Sequence, residues 1–278
     1  MKFKYLGTAA AEGVPAIFCN CETCTRSKEL GGRNIRTRSQ AIIDDEILID
    51  FPADTYMHYL RFNFPLERIK SCIITHAHSD HLYERDILMR KTGFANITPN
   101  LNPITFYADK AGYEMIMKEV TKYDIAKTDV KCEQIKLYEP MEIDGYLVTA
   151  LRATHEISSS PVLYIIEKDE KSVFYSHDTS LYCEETYNYL KTLKKPLSMI
   201  SLDCDEGCLE HISAGHLSLW QCIDLKAAFL RDGIADENTI FVLNHFSHNA
   251  KNVVYDDFSK LAEEYGFLTS YDGMEIEI

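Results

Sequence analysis

The sequence predicts an α/β fold in which two β-sheets pack together and helices cover their outer faces. Three observations carry this expectation. Strand-like runs dominate and fall into two clusters. Helical stretches are interspersed among them, a pattern that suits packed sheets with helices outside. No internal repeat, low-complexity tract or Pro/Gly/Ser linker divides the chain, so residues 1–278 are read as one domain.

The elements follow in order. Residues 2–7 read as a first strand running into the small-residue turn Thr8-Ala9-Ala10-Ala11-Glu12-Gly13-Val14-Pro15. Ala41–Ile43 and Glu46–Phe51 flank Asp44-Asp45 as a hairpin. Asp54 to Phe62 reads as a helix, and residues 69–74 as a buried, β-branched strand. Segments 104–108, 132–137, 141–153, 161–167 and 171–175 are strand-like, with a helix over about 109–122. Ser198 to Asp203 and Thr239 to Asn244 read as strands, Leu217 to Leu230 and 256–265 as helices, and 273–278 as a closing strand.

A chain of 278 residues, 46% of them hydrophobic, can bury a sizeable core. The formal charge of −14, from 43 acidic against 29 basic residues, repels polyanions and makes long nucleic acid a poor partner. A small phosphorylated substrate is still compatible, because bound divalent ions reverse the local field. The start, Met1-Lys2-Phe3-Lys4-Tyr5-Leu6, lacks a signal-peptide core, and no run approaches membrane-spanning length. Nine cysteines, an odd number, argue for reduced thiols and metal binding over disulfides. Together these predict a cytoplasmic protein with no membrane partner.

The strand of 69–74 delivers Thr75-His76-Ala77-His78-Ser79-Asp80-His81. Three imidazoles and a carboxylate crowded at a strand end are expensive unless a cation binds them. Neutral imidazole and carboxylate suit zinc, iron, manganese or nickel, and alternating neighbours can serve two adjacent ions. Further ligands are expected at other strand ends. His155, Asp178 and His245 each follow a buried strand-like run and repeat that pattern.

In order and spacing, Thr75–His81 followed by His155, Asp178 and His245 resembles the metallo-β-lactamase superfamily over roughly residues 3–250. The resemblance implies an αββα sandwich with metals at the edge between the sheets. It implies that His76, His78 and His155 hold one divalent ion, that Asp80, His81 and His245 hold a second, and that Asp178 bridges them. A carboxylate at the bridging position resembles the hydrolase and phosphodiesterase branches.

Cys19-Asn20-Cys21-Glu22-Thr23-Cys24 has the spacing to chelate one ion with three thiolates, which select zinc. His248, three residues after His245, is the candidate fourth ligand of a closed structural site. With Gly13-Val14-Pro15 and His245-Phe246-Ser247-His248, this cluster is similar to that of the PhnP-type phosphodiesterases. That likeness implies a structural zinc on Cys19, Cys21, Cys24 and His248, and a further active-site histidine at His216. The alanines of the 8–13 turn depart from the glycine-rich turn of relatives. The segment 82–100, with Arg85, Arg90 and Lys91, is expected to shape specificity. A similar cysteine cluster occurs in PqqB-like proteins of cofactor biosynthesis.

The expected reaction is hydrolysis of a small cyclic or nucleotide-like phosphodiester. Two ions roughly 3.5–4 Å apart would share a water and lower its pKa toward neutrality. Asp80 and bridging Asp178 would fix the ions and accept the nucleophile's proton, and His216 would stabilise the phosphoryl oxygens or protonate the leaving alkoxide. A lactone or thioester hydrolase and a PqqB-like protein are the alternatives, and a homodimer is compatible with the resemblance. Among other residues, His58 is expected to be packed or at the surface, Trp220 to be core, and Arg33, Arg36 and Arg38 to form a solvated basic loop. His177 is a candidate support for Asp178, and His211 carries no motif.

Overall fold

The structure, a computed structural model, describes residues 1–96, 103–122, 129–156, 160–210 and 213–278. Two seven-stranded mixed sheets run through them. The first carries β1 (Lys2–Gly7), β2 (Gln40–Ile43), β3 (Ile47–Ile49), β4 (Ser71–Ile73), β5 (Ile104–Ala108) and β6 (Val130–Gln134) side by side, with β14 (Glu275–Glu277) outside β1. The second runs from β7 (Met141–Ile143) through β8 (Tyr146–Arg152), β9 (Val162–Lys168), β10 (Lys171–Ser176), β11 (Met199–Asp203) and β12 (Ile240–Asn244) to β13 (Leu268–Thr269).

Side-chain alternation along the strands sorts the core into three layers. Ile73 faces inward with Phe3, Tyr5, Ile43, Tyr146, Tyr164 and Tyr175, and these fill the space between the sheets. Its neighbours Cys72 and Ile74 face outward, where α2 (Thr55–Phe62), α3 (Glu84–Ile87) and α4 (Lys110–Thr121) cover the first sheet. On the second sheet Phe174, Leu202 and Leu243 meet α5 (Glu184–Leu190), α6 (Leu219–Arg231) and α7 (Tyr255–Glu264). A residue such as Ile73 or Phe174, fully buried, contributes about 1.5–3 kcal/mol of transfer free energy. This is the αββα architecture that the resemblance implied.

Local chemistry explains the boundaries. Asp44 and Asp45 both take left-handed φ (51° and 56°) in the three-residue turn 44–46 that joins β2 to β3. The same device, Asp144-Gly145 with φ of 50° and 83°, breaks the expected single strand 141–153 into the antiparallel pair β7–β8. Ser218 and Gln221 form a capping box that starts α6, whose buried residues Leu219, Cys222, Leu225 and Phe229 share one face.

Several expectations are corrected here. α1 (Glu22–Leu30) and α5 were not anticipated, since α1 is almost wholly polar and buries only Cys24 and Ser27. The two-residue strand β13 is too short to show in a sequence pattern. Trp220 is 37% exposed rather than core, its indole N–H donating to the Cys208 carbonyl. Arg36 is buried, stacked on Phe246, with Nη1 donating to Thr8 Oγ1 and the Ser270 carbonyl, so residues 33–38 are not a solvated basic loop. His58 is packed, held between Thr37 and Gln40. His211 lies outside the described residues.

Candidate metal centre

β4, β8, β10, β11 and β12 all end at one edge of the sandwich, and each delivers polar residues there. β3–β4 and β10–β11–β12 pair in parallel, and β8 lies antiparallel to β9, which lies antiparallel to β10, so their C-termini coincide. In α/β sheets the crevice beyond the carboxyl ends of parallel strands is the common ligand position. Asp50, Asp178 and His245, which end three strands, all adopt left-handed φ (65°, 51° and 64°). Non-glycine residues held there cost of order 1–3 kcal/mol each, a strain that concentrates at functional sites.

The seven expected ligand side chains converge. His76, His78 and His155 offer ligand atoms within 4.8 Å of one another, and so do Asp80, His81, Asp178 and His245. The Asp178 carboxylate lies between the groups. Its Oδ2 is 2.6 Å from His81 Nε2, and its Oδ1 is 3.1 Å from His245 Nε2 and 3.7 Å from His155 Nε2. Asp80 Oδ2 is 3.1 Å from His81 Nε2, and His76 Nε2 is 2.9 Å from His78 Nδ1.

Four of the five histidines are oriented by their other nitrogen. His81 Nδ1–H donates to Asp50 Oδ2 (2.7 Å), His155 Nδ1–H to the Gly215 carbonyl (3.1 Å) and His78 Nε2–H to Glu156 (2.8 Å). Ser39 Oγ donates to the Ala9 carbonyl and therefore accepts from His245 Nδ1–H (2.9 Å). The opposite nitrogens of His81, His155 and His245 are thereby aimed at Asp178. Imidazole fixed by a carboxylate or carbonyl on one nitrogen and bare on the other is the arrangement that metal ligation uses. His81 Nε2 and Asp178 Oδ2 are buried and 2.6 Å apart, yet neither has a hydrogen-bond partner of suitable geometry among the described residues. A cation between them satisfies both, so the residues fit a metal.

Electrostatics agrees with a buried cluster of interacting charges. Burial works against the charged form of Asp178, but His245 and His81 hold its carboxyl well below the usual range. Burial likewise opposes the charge on His81, which Asp80, Asp178 and Asp50 raise well above the ordinary value. Burial, reinforced by His81, pushes His76 down, and burial also lowers His155. Burial pushes the Asp205 carboxyl up to about 7.

His216 stands beside the cluster. Its Nδ1–H donates to Asp203 Oδ2 (3.0 Å) and lies 3.8 Å from Asp178 Oδ1. Burial disfavours its charge, but Asp203 and the neighbouring carboxylates raise it to about 10. With Asp80, Asp178, His155 and His245 it lines a cavity of about 330 Å³. Ala10, Ala11 and Glu12 of the N-terminal turn line the same cavity. None of residues 82–96 does, so the described part of the 82–100 segment does not shape it, contrary to expectation. Arg90 of that segment pairs instead with Asp129.

The thiolate candidates also meet. Cys19, Cys21, Cys24 and His248 have ligand atoms within 4.8 Å, with His248 Nδ1 3.5 Å from Cys19 Sγ and 3.6 Å from Cys21 Sγ. Backbone N–H groups of Cys21, Cys24 and Ala16 donate to the sulfurs of Cys19, Cys21 and Cys24. The Cys21 N–H holds the Cys19 thiol below its ordinary value, whereas burial pushes Cys24 up to about 11.

Sequence reasoning missed Asp50 and Asp203. Asp50 accepts from His81 and from the Thr75 backbone and hydroxyl, and Asp203 accepts from the backbone of Asp178 and Leu217 as well as from His216. Both end buried strands, so the rule that found His155, Asp178 and His245 also marks them. His177 supports the strand ends as a buried link, bonded to Ser201 Oγ (2.7 Å) and accepting from Asn244 (3.1 Å).

Two packed mixed sheets with a His/Asp cluster at one edge define the metallo-β-lactamase class of fold. Residues 46–231, more than half of the chain, match the Beta-lactamase superfamily domain, and the chain belongs to that family. Among solved structures it is similar to a diphosphatase from the PhnP family (22% identity, TM-score 0.75, covering 100% of this chain and 97% of that one). It is also similar to Zn(2+)-bound PqqB from Methylobacterium extorquens (18% identity, TM-score 0.70, 100% of both chains). Human tRNase Z, short form, is a further relative in fold (16% identity, TM-score 0.61, 100% and 99%). No curated protein matches the chain. No helix among the described residues is long and apolar enough to cross a membrane.

Proposed function

We propose that this chain is a metal-dependent phosphodiesterase that holds two divalent ions and hydrolyses a small phosphodiester. The observation that carries the reading is the Asp178 carboxylate set between two groups of aimed imidazoles at the floor of an open cavity. His76, His78 and His155 would hold one ion, Asp80, His81 and His245 the other, with Asp178 shared. Manganese, zinc, iron or nickel suits this donor set. When bound, such a pair supplies a water of lowered pKa and neutralises charge developing on phosphoryl oxygens.

The chain's own residues do the rest. Asp50, Ser39 and the Gly215 carbonyl keep three imidazoles in the tautomer that leaves Nε2 bare. Asp80, buried but lining the cavity wall, is placed to accept a proton from the attacking water. His216, its Nδ1–H held by Asp203, keeps Nε2–H as the proton donor for the leaving alkoxide. The PhnP-family relative, described as a diphosphatase, supports phosphoryl chemistry over ester chemistry. Cys19, Cys21, Cys24 and His248 would hold a separate zinc, closed to substrate by its full set of four protein donors.

The test is elemental analysis of the purified protein combined with rates on bis(4-nitrophenyl) phosphate, ribose cyclic phosphates, a lactone panel and a thioester panel. Diester turnover that disappears on chelation and returns with manganese or zinc is expected. Turnover of lactones or thioesters alone would replace the reading with the ester-hydrolase one. Filled thiolates over an empty histidine centre would favour a PqqB-like role instead.

A further inference from the structure

His155 follows β8, and the loop that leads into α6 closes against it. Its Nδ1–H donates to the Gly215 carbonyl (3.1 Å), which leaves Nε2 turned toward Asp178 Oδ1 (3.7 Å). The same glycine meets the ring in a second way. A Cβ at position 215 would stand 2.7 Å from His155 Nδ1 and 3.3 Å from its Cε1. Gly215 does not take a left-handed φ, so its backbone conformation is open to alanine without strain. What the position forbids is the side-chain carbon itself.

The ring has little room to give way. Non-bonded carbon atoms rest about 3.5–4.0 Å apart, so a methyl group at 215 asks the imidazole to move by roughly 1 Å. His76, His78 and His216 surround it, with ring centroids 5.6, 5.3 and 4.8 Å away. Metal–ligand distances hold to about ±0.2 Å, so a shift of that size takes Nε2 out of reach of an ion shared with His76 and His78. The loop cannot back off freely either. Gly215 N–H donates to Ser213 Oγ (3.3 Å) and Leu217 N–H to Asp203 Oδ1 (3.0 Å), which anchors the chain on both sides of the glycine.

We infer that Gly215 is a positioning residue for the ion of His76, His78 and His155: its carbonyl sets the tautomer of His155, and its lack of a side chain makes the seat in which that ring stands. The inference rests on the ligand set of the phosphodiesterase reading and goes beyond it, since Gly215 lines no part of the cavity and acts on the ion only through His155.

The test is a double-mutant cycle on the full chain: Gly215→Ala, His155→Ala and the two combined. Metal content against a competitive chelator and the melting temperature are read, and neither needs turnover. Gly215→Ala should weaken that ion about 10–100-fold, as loss of a ligand's support does, leaving one ion at the histidine centre where the wild-type chain keeps two. Its melting temperature should fall as well. In the His155→Ala background the added Cβ enters vacated space, so the combined variant should melt where His155→Ala does. A single variant with wild-type metal content overturns the inference. So does a loss of melting temperature that persists undiminished in the combined variant, because Gly215 would then act on the loop and not through His155. Should the single variant fail to fold, the comparison of the combined variant with His155→Ala decides between the same two outcomes. If metal and melting follow the expected pattern while no diester is hydrolysed, the phosphodiesterase reading falls and the seat of His155 stands.

Discussion

The two metal-capable clusters of this molecule differ in nearly every respect that decides what an ion could do in them. The Asp178 centre is built from imidazole and carboxylate on four strand ends, its ligand-bearing core is buried, and it opens into a cavity. The thiolate cluster draws three of its four donors from one short loop and one helix start, is mostly half-buried, and lines no part of that cavity. Borderline nitrogen and oxygen donors with an open face suit exchangeable, catalytic ions, whereas sulfur donors closing on themselves suit a permanent zinc. The two clusters thus differ both in donor type and in access.

Substitutions can break or sharpen that contrast. Asp178→Ala removes the carboxylate common to both ligand groups, so diester turnover should fall below detection and the metal content of the histidine centre should drop, while zinc on the thiolates is retained. Circular dichroism confirms folding, and elemental analysis reads the split. Loss of the thiolate zinc in the same variant would erase the distinction between the two clusters. His216→Ala should lower kcat by about 10²–10⁴-fold without changing metal content, the range expected for a proton donor. An unchanged pH profile with an unchanged rate would remove His216 from the reaction.

Smaller effects probe the supports. Asp50→Asn replaces the charged carboxylate that orients His81 with a neutral amide having one acceptor oxygen, and metal affinity at the histidine centre should weaken about 10–100-fold. A competitive chelator titration measures this, and an affinity equal to wild type would show that His81 is oriented by packing alone. Cys21→Ser should release zinc and lower the melting temperature, yet cost diester turnover less than any change above. If it abolished turnover as fully as Asp178→Ala, the thiolate cluster would have to be counted as part of the reaction.

Much of this was legible in the sequence because strand ends leave a local signature. An apolar run stopping at His76, His155, Asp178 or His245 is visible without knowing where the strands sit. Asp50 and Asp203 carried the same mark but looked ordinary, since an acid after a strand is common and only the sheet order brings them under His81 and His216. The cavity rim was invisible for a related reason. Glu12 and Glu206 are far apart in sequence, and their meeting depends on how the 8–13 turn folds back over the end of β12, where Ala10 N–H donates to the Phe246 carbonyl. Residues 82–96 line no part of that cavity, whereas the 8–13 turn does.

His245 and His248 belong to different clusters but are separated by only two residues. Phe246 between them is fully buried, with its N–H donating to the Thr8 carbonyl and Arg36 stacked on its ring. So short and so firmly pinned a span fixes the spacing of the two imidazoles, and a substitution that displaced Phe246 would disturb both clusters at once.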